Sequence, residues 1–337
     1  MTGIDRRTAL LTTLGAAVAA SSAGAQTALP MAPGNAPLVL SQPDETIDLW
    51  PKGAPGMPAK PPVEVTTERR KDTAKLNDRS VAGVAVPRMA VFRPAKPNGA
   101  SLLVFPGGGY VRMAIDKEGY EIGRLLAARG ITVFVLFYRL PGEGWANRAN
   151  VPLQDAQRAM RLIRSQATKY GIDPARVAAM GFSAGGHLCA DLVARFAAKT
   201  YDPVDAADTL SAQPMLAAPI YPVVSMDASV AHMGSREALL GPDPSPALIA
   251  AHSPDRNIKP DSPPCFLCAA EDDPVVPIEN TLLFHAALRT AKVPVELHLF
   301  EQGNHGFGLR GVVGKPAQVW PDLFLGWATS RGWLAVA

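Results

Sequence analysis

From about residue 88 onward, short apolar runs alternate with amphipathic stretches along the chain. The runs fall at residues 88–92, 101–105, 131–137, 177–182, 217–223, 265–270 and 295–300. Their brevity and near-continuous apolarity predict strands covered on both faces. Between most of them lie stretches of helical periodicity, at residues 118–129, 153–170, 184–198, 278–291 and 319–330. Strand–helix alternation of this kind predicts an α/β fold, with a mostly parallel central sheet and helices on both faces. Two stretches depart from the rhythm. Residues 46–85 carry Leu49-Trp50-Pro51-Lys52-Gly53-Ala54-Pro55-Gly56, too rich in turn formers for regular structure. Residues 225–262 form a long connection with Pro242, Pro244, Pro246, Pro254 and Pro260. Long connections in compact domains tend to be functional loops, so this one is expected to be a small cap that shapes substrate choice.

The N-terminus follows another pattern. Asp5-Arg6-Arg7 opens a short uncharged stretch running to Ala20, and Ala23-Gly24-Ala25 supplies the small-x-small pattern of a cleavage site before Gln26. A charged start, a modest apolar run and small residues at the cut are the parts of an export signal. The paired arginines and weakly hydrophobic run resemble a twin-arginine signal, which implies a periplasmic or secreted protein. The stretch is too short to span a bilayer stably, so no membrane insertion is expected after cleavage. The expected organisation is therefore a signal peptide at 1–25, a flexible lead-in at 26–45 rich in Pro and Ala, and one domain over 46–337 containing the 225–262 insertion.

Composition narrows the function class. The chain has 337 residues, 47% of them hydrophobic, enough for a sizeable core in a single domain. Its formal net charge of +3 is small and dispersed, without a basic run or stripe, which argues against a nucleic-acid partner. Cys189, Cys265 and Cys268 read as small core residues. The C-x-x-C pair lies within a predicted strand, where residues three apart are separated by about 10 Å and face opposite sides. A disulfide wants Cα atoms closer than about 7 Å. No metal or organic cofactor is implied.

The candidate chemistry begins at Gly181-Phe182-Ser183-Ala184-Gly185, a G-x-S-x-G motif. Three fixed positions of this kind recur by chance in about one chain in ten of this length, so placement matters. Here a predicted strand ends at Phe182 and a predicted helix begins at Ala184. That is the sharp strand-to-helix turn from which a nucleophilic serine projects, with the helix N-terminus favouring developing negative charge. Of the six histidines, only His305 lies in a glycine-flanked loop just past the last predicted strand, in Gly303-Asn304-His305-Gly306-Phe307. The acid that orients it is expected after the 265–270 strand, in Glu271-Asp272-Asp273-Pro274-Val275-Val276-Pro277. Asp273 is preferred for its spacing to Pro277, with Asp272 as its competitor. Phe105-Pro106-Gly107-Gly108-Gly109-Tyr110 follows the 101–105 strand, where oxyanion donors belong. The expected donors are the backbone N–H groups of Gly108, Gly109 and Ala184. No Lys-Ser/Thr follows the glycines, which disfavours a phosphate loop.

The chain order serine, acid, histidine is that of the α/β-hydrolase fold. The motifs above resemble the hormone-sensitive-lipase-like branch of these serine esterases, nearest to bacterial acetylxylan esterases and feruloyl or acetyl esterase relatives. Further segments carry the likeness: Leu49-Trp50-Pro51, Lys117-Glu118-Gly119, Tyr138-Arg139-Leu140-Pro141 and Asp155-Ala156-Gln157-Arg158-Ala159. The resemblance implies Ser183, Asp273 and His305 as a catalytic triad acting on a small-molecule or oligosaccharide ester. It departs at Pro106, where that branch usually has histidine.

Overall fold

The computed structural model describes residues 42–72 and 76–334. The expected signal at 1–25 and all but the end of the lead-in lie outside the described residues. In chain order the strands are β1 (Glu45–Asp48), β2 (Val65–Glu68), β3 (Arg79–Ala82), β4 (Arg88–Phe92), β5 (Gly99–Phe105), β6 (Thr132–Phe137), β7 (Ile172–Phe182), β8 (Ala217–Ile220), β9 (Cys265–Ala270) and β10 (Val295–Phe300). The helices are α1 (Glu121–Ala127), α2 (Val151–Ser165), α3 (Ala167–Tyr170), α4 (Ala184–Arg195), α5 (Met233–Leu240), α6 (Pro246–Ala251), α7 (Glu279–Thr290) and α8 (Trp320–Ser330).

Among the described residues, eight strands make one sheet in the order β1-β4-β6-β5-β7-β8-β9-β10. β4 is antiparallel to both β1 and β6, and every neighbouring pair from β6 to β10 is parallel. Strands β6 and β9 are buried at every residue, as their unbroken apolarity requires, whereas the edge strand β10 is only half-buried. Each fully buried Val, Leu or Phe contributes about 1.5–3 kcal/mol, so the central strands anchor the sheet. The pairing also sets where chemistry can occur. Phe105 lies opposite Gly181, Phe182 opposite Ile220, and Ala270 opposite Phe300. The chain therefore leaves β5, β7, β9 and β10 along one edge of the sheet, the usual place for ligands in an open α/β fold.

Several elements depart from expectation for local reasons. The 46–85 stretch was expected to lack regular structure, but β1 occupies its start and β2 pairs antiparallel with β3. These strands have four residues each, too short to reveal a period. The turn-rich segment between β1 and β2 is held from α2 and from Arg139, just past β6. Trp50 Nε1 donates to Asp155 Oδ1 at 2.8 Å, Arg158 Nε to Leu49 O at 2.9 Å and Arg139 Nη1 to Pro55 O at 2.6 Å. Arg139 and Asp155 form a fully buried ion pair beneath it. The expected helix at 118–129 begins as a wide π-type turn over Asp116–Tyr120 before α1. β8 stops at Ile220 because Tyr221 takes a positive φ of 35°. Cys189, Cys265 and Cys268 are free and buried, the latter two within β9.

Candidate active site

Strand β7 runs straight into α4 through one residue, Ser183, whose backbone sits at φ 53°, ψ −118°. A non-glycine residue in such a region stores about 1–3 kcal/mol of strain, which the surrounding packing must hold. The two motif glycines are what make the turn possible. A Cβ on Gly181 would lie 2.0 Å from Gly185 O, and one on Gly185 would lie 2.1 Å from Phe105 O. Serine at a helix N-cap normally bends its hydroxyl back to a backbone N–H. Ser183 makes no such cap; its Oγ lies 2.8 Å from His305 Nε2.

His305 stands in the loop after β10, and its Nδ1 lies 2.6 Å from Asp273 Oδ2. A carboxylate can only accept, so Nδ1–H donates to Asp273 and Nε2 is left to accept from the Ser183 hydroxyl. Asp273 Oδ1 accepts in turn from Val275 N and Val276 N at 2.8 and 2.9 Å, which fixes the carboxylate after β9. Asp272 points elsewhere. Its Oδ1 accepts from Gly303 N and Asn304 N at 2.8 and 2.7 Å, bracing the start of the histidine loop. Those N–H groups hold the Asp272 carboxyl below its usual range. His187, one turn into α4, is fully buried, with Nδ1 2.8 Å from the Tyr110 hydroxyl and Nε2 2.9 Å from His252 O. Burial holds its pKa down, so it is a neutral structural imidazole.

The glycine loop after β5 faces Ser183 from the other side. Gly108 and Gly109 line the same pocket as Ser183 and His305. Among the described residues, no acceptor engages the backbone N–H of Gly108, Gly109 or Ala184. Gly107 cannot carry a side chain, because a Cβ there would lie 2.9 Å from Ser183 Cβ and 2.7 Å from Glu118 Oε2. Its N–H donates to that same oxygen at 2.8 Å, and the Tyr221 hydroxyl donates to Glu118 Oε1 at 2.9 Å. The Tyr221 hydroxyl oxygen also accepts from Gly308 N at 3.1 Å, and the ring stacks edge-on against His305 at 5.4 Å. Tyr138 donates to Pro106 O at 2.7 Å. Buried Glu118 thus links the glycine loop, the residue after β8 and the histidine loop.

Sequence reasoning did not single out Glu118 or Tyr221 for this role, although Tyr221 lies at a strand end like the motif residues. It also missed His232, which reaches the pocket from the 225–262 insertion together with Gly234. That insertion carries α5 and α6. The pocket in front of Ser183 encloses about 420 Å³, room for a small acyl group and part of a sugar-sized alcohol. Among the described residues, no group of three or more His, Cys, Asp or Glu side chains is placed to hold a metal. No helix among them is long and apolar enough to cross a membrane. A strained serine hydroxyl hydrogen-bonded to an imidazole, with backbone N–H donors beside it, is an arrangement suited to acyl transfer.

Residues 89–288 match the family described as BD-FAE. The chain is 32% identical over 243 residues to an acetylxylan esterase of Xylanibacter ruminicola, covering 71% of this chain and 46% of the relative. It is 37% identical over 205 residues to endo-1,4-beta-xylanase B of Butyrivibrio fibrisolvens, covering 61% and 32% respectively. The chain therefore spans a third to a half of the length of these curated relatives. Among solved structures it is similar to an acetyl ester-xyloside bifunctional hydrolase from Caldicellulosiruptor lactoaceticus. That likeness has a TM-score of 0.71 and 34% identity, over 88% of this chain and 99% of that one.

Proposed function

Because the chain belongs to the BD-FAE family and has the α/β-hydrolase fold, we propose that it is a carboxylic ester hydrolase releasing small acyl groups, chiefly acetyl, from carbohydrate. The observation that carries this reading is the single hydrogen-bonded line Ser183–His305–Asp273, spanning three strand ends. In the proposed mechanism His305 Nε2 takes the Ser183 proton as Oγ attacks the ester carbonyl. The N–H groups of Gly108, Gly109 and Ala184 receive the oxyanion, and His305 returns the proton to the departing alcohol. Water activated by the same imidazole then releases the acid from Ser183, and Asp273 stabilises the imidazolium in both halves. Similarity to the acetylxylan esterase and to the acetyl ester-xyloside hydrolase supports acetylated xylan as the substrate.

Ser183→Ala is expected to cut ester hydrolysis by at least about 10⁴-fold. Unchanged hydrolysis would remove the mechanism altogether. Acetate release should be faster from acetylated xylan than from acetylated pectin or glucomannan, and a preference for long-chain aryl esters would replace the acetylesterase reading with a lipase. Export is part of the same proposal and rests on Arg6-Arg7 and Ala23-Gly24-Ala25. N-terminal sequencing of the protein from its native host should begin at Gln26. Retention of residues 1–25 in the cytoplasm would refute export.

A further inference from the structure

The pocket in front of Ser183 offers a substrate positive charge and hydrogen-bond donors, with few acceptors. Arg69, Arg112, Lys117 and His232 line it. The carboxylate in its wall, Glu118, is 4% exposed and has both oxygens taken, by Gly107 N and the Tyr221 hydroxyl. Arg69 is held at 2.8 Å by Asp78, but that one carboxylate also takes Arg310 at 2.9 Å. Arg310 also reaches Glu121 Oε1 at 3.4 Å, so these two guanidiniums are matched by two carboxylates and the unmatched charge lies at Arg112 and Lys117. Among the described residues, neither Arg112 nor Lys117 forms an ion pair within 4.0 Å, although the charges of Glu118, Asp78 and Glu121 act on Lys117 from farther away. Arg112 rises directly from the oxyanion loop, for a Cβ on Gly108 would lie 3.1 Å from Arg112 Cγ. His232 adds a donor of fixed identity. Its Nδ1 accepts from Ser235 N at 3.2 Å, so its ring proton is on Nε2.

Cations gathered along a concave wall repel one another and raise the local potential until an anion joins them. We propose that this pocket selects esters bearing a carboxylate close to the scissile bond, with Arg112 and Lys117 as the specificity-determining contacts and His232 Nε2–H as a neutral donor. The carboxylate has two possible sources. It belongs either to an acidic sugar on the alcohol side or to a dicarboxylic half-ester on the acyl side. The inference rests on the esterase reading for its kinetics, but the pocket's preference for a carboxylate can be tested without turnover.

Two matched pairs separate the sources: a monoacetate of methyl glucuronoside against one of methyl glucoside, and monophenyl adipate against phenyl hexanoate. The wild-type protein is expected to favour the charged member of one pair at least tenfold in kcat/KM, mainly through KM. That preference should shrink as salt is added. Arg112→Gln and Lys117→Gln should each reduce the charged-over-neutral ratio about fivefold. Equal handling of charged and neutral members in both pairs would overturn the proposal, as would a preference that both substitutions leave intact. If no ester is turned over, the esterase reading fails on its own. Calorimetric binding of methyl glucuronoside and adipate to the Ser183→Ala protein then decides this one. Carboxylate binding that Arg112→Gln weakens supports it, and binding no tighter than that of methyl glucoside and hexanamide overturns it.

Discussion

On one side of Ser183 a single line of hydrogen bonds runs outward through His305 to Asp273, each group delivered by its own strand end. On the other side the Gly107–Gly109 loop leans on a buried mesh. Glu118 ties Gly107 to Tyr221, Tyr221 ties Gly308, and Tyr138 ties Pro106. In the proposed mechanism the line works in series, so the loss of one member would remove the proton path. The mesh works in parallel, so the loss of one member loosens several backbone groups without stopping the chemistry. Substitutions on the two sides should therefore fail differently: the line in turnover alone, the mesh in turnover and stability together.

The sharpest test of the line is Asp273→Asn. Asparagine would occupy nearly the same space but present an amide to His305, favouring the tautomer that cannot accept from Ser183. In other serine triads this change costs about 10⁴-fold in kcat. Melting temperature should hardly move, because the Val275 and Val276 contacts can be kept by the Asn carbonyl oxygen. A loss under tenfold would show that the line is not in series, and the contrast between the two sides would collapse.

Glu118→Gln probes the mesh. Glutamine keeps the shape, but its amide group can satisfy only one of the two donors that Glu118 now accepts from. A buried donor left without an acceptor costs about 1–3 kcal/mol, so the unfolding midpoint should fall. Displacement of the glycine loop by a fraction of an ångström should lower kcat about 10–100-fold while KM changes little. A kcat loss with full stability would place Glu118 in the line rather than the mesh. Tyr221→Phe should follow the same pattern more weakly, about fivefold in kcat. The hydroxyl it removes serves Glu118 and Gly308 together, and the ring stacking on His305 and Phe307 is kept.

The contrast also explains what could be read from the residues alone. The α/β architecture was legible because the buried parallel strands need unbroken apolar runs, as in β6 and β9. Ser183 was legible because its turn demands glycines two positions away on each side. His305 and Asp273 were marked by glycine and proline loops just past strands. Glu118 and Tyr221 carry no such mark. They meet across 103 residues of sequence, and a tyrosine or glutamate of ordinary type gives no hint of a partner that distant. His232 was obscure for a similar reason, since only the path of the 225–262 insertion brings it to the pocket. Four-residue β1, β2 and β3 were lost because too few positions alternate to reveal a strand.

Asp272 lies between the two regimes and should give the smallest effect. It is adjacent to Asp273 in sequence, yet its carboxylate serves Gly303 N and Asn304 N and does not touch His305. It therefore braces the histidine loop as the mesh braces the glycine loop, but from an exposed position where water can replace it. Asp272→Asn should leave kcat within about threefold at neutral pH, against the collapse expected for Asp273→Asn. The acid side is where a difference should appear. The Asn304 and Gly303 N–H groups hold the Asp272 pKa below its unfolded value. Its contribution is thus complete above the ordinary carboxylate range and disappears as pH falls through the lowered folded value. Wild-type protein should lose part of its stability in that acidic window, and the Asn variant should show a flatter pH dependence there. A drop in kcat at neutral pH as large as that of Asp273→Asn would instead make Asp272 the acid partner of His305, and the line would have to be redrawn through it.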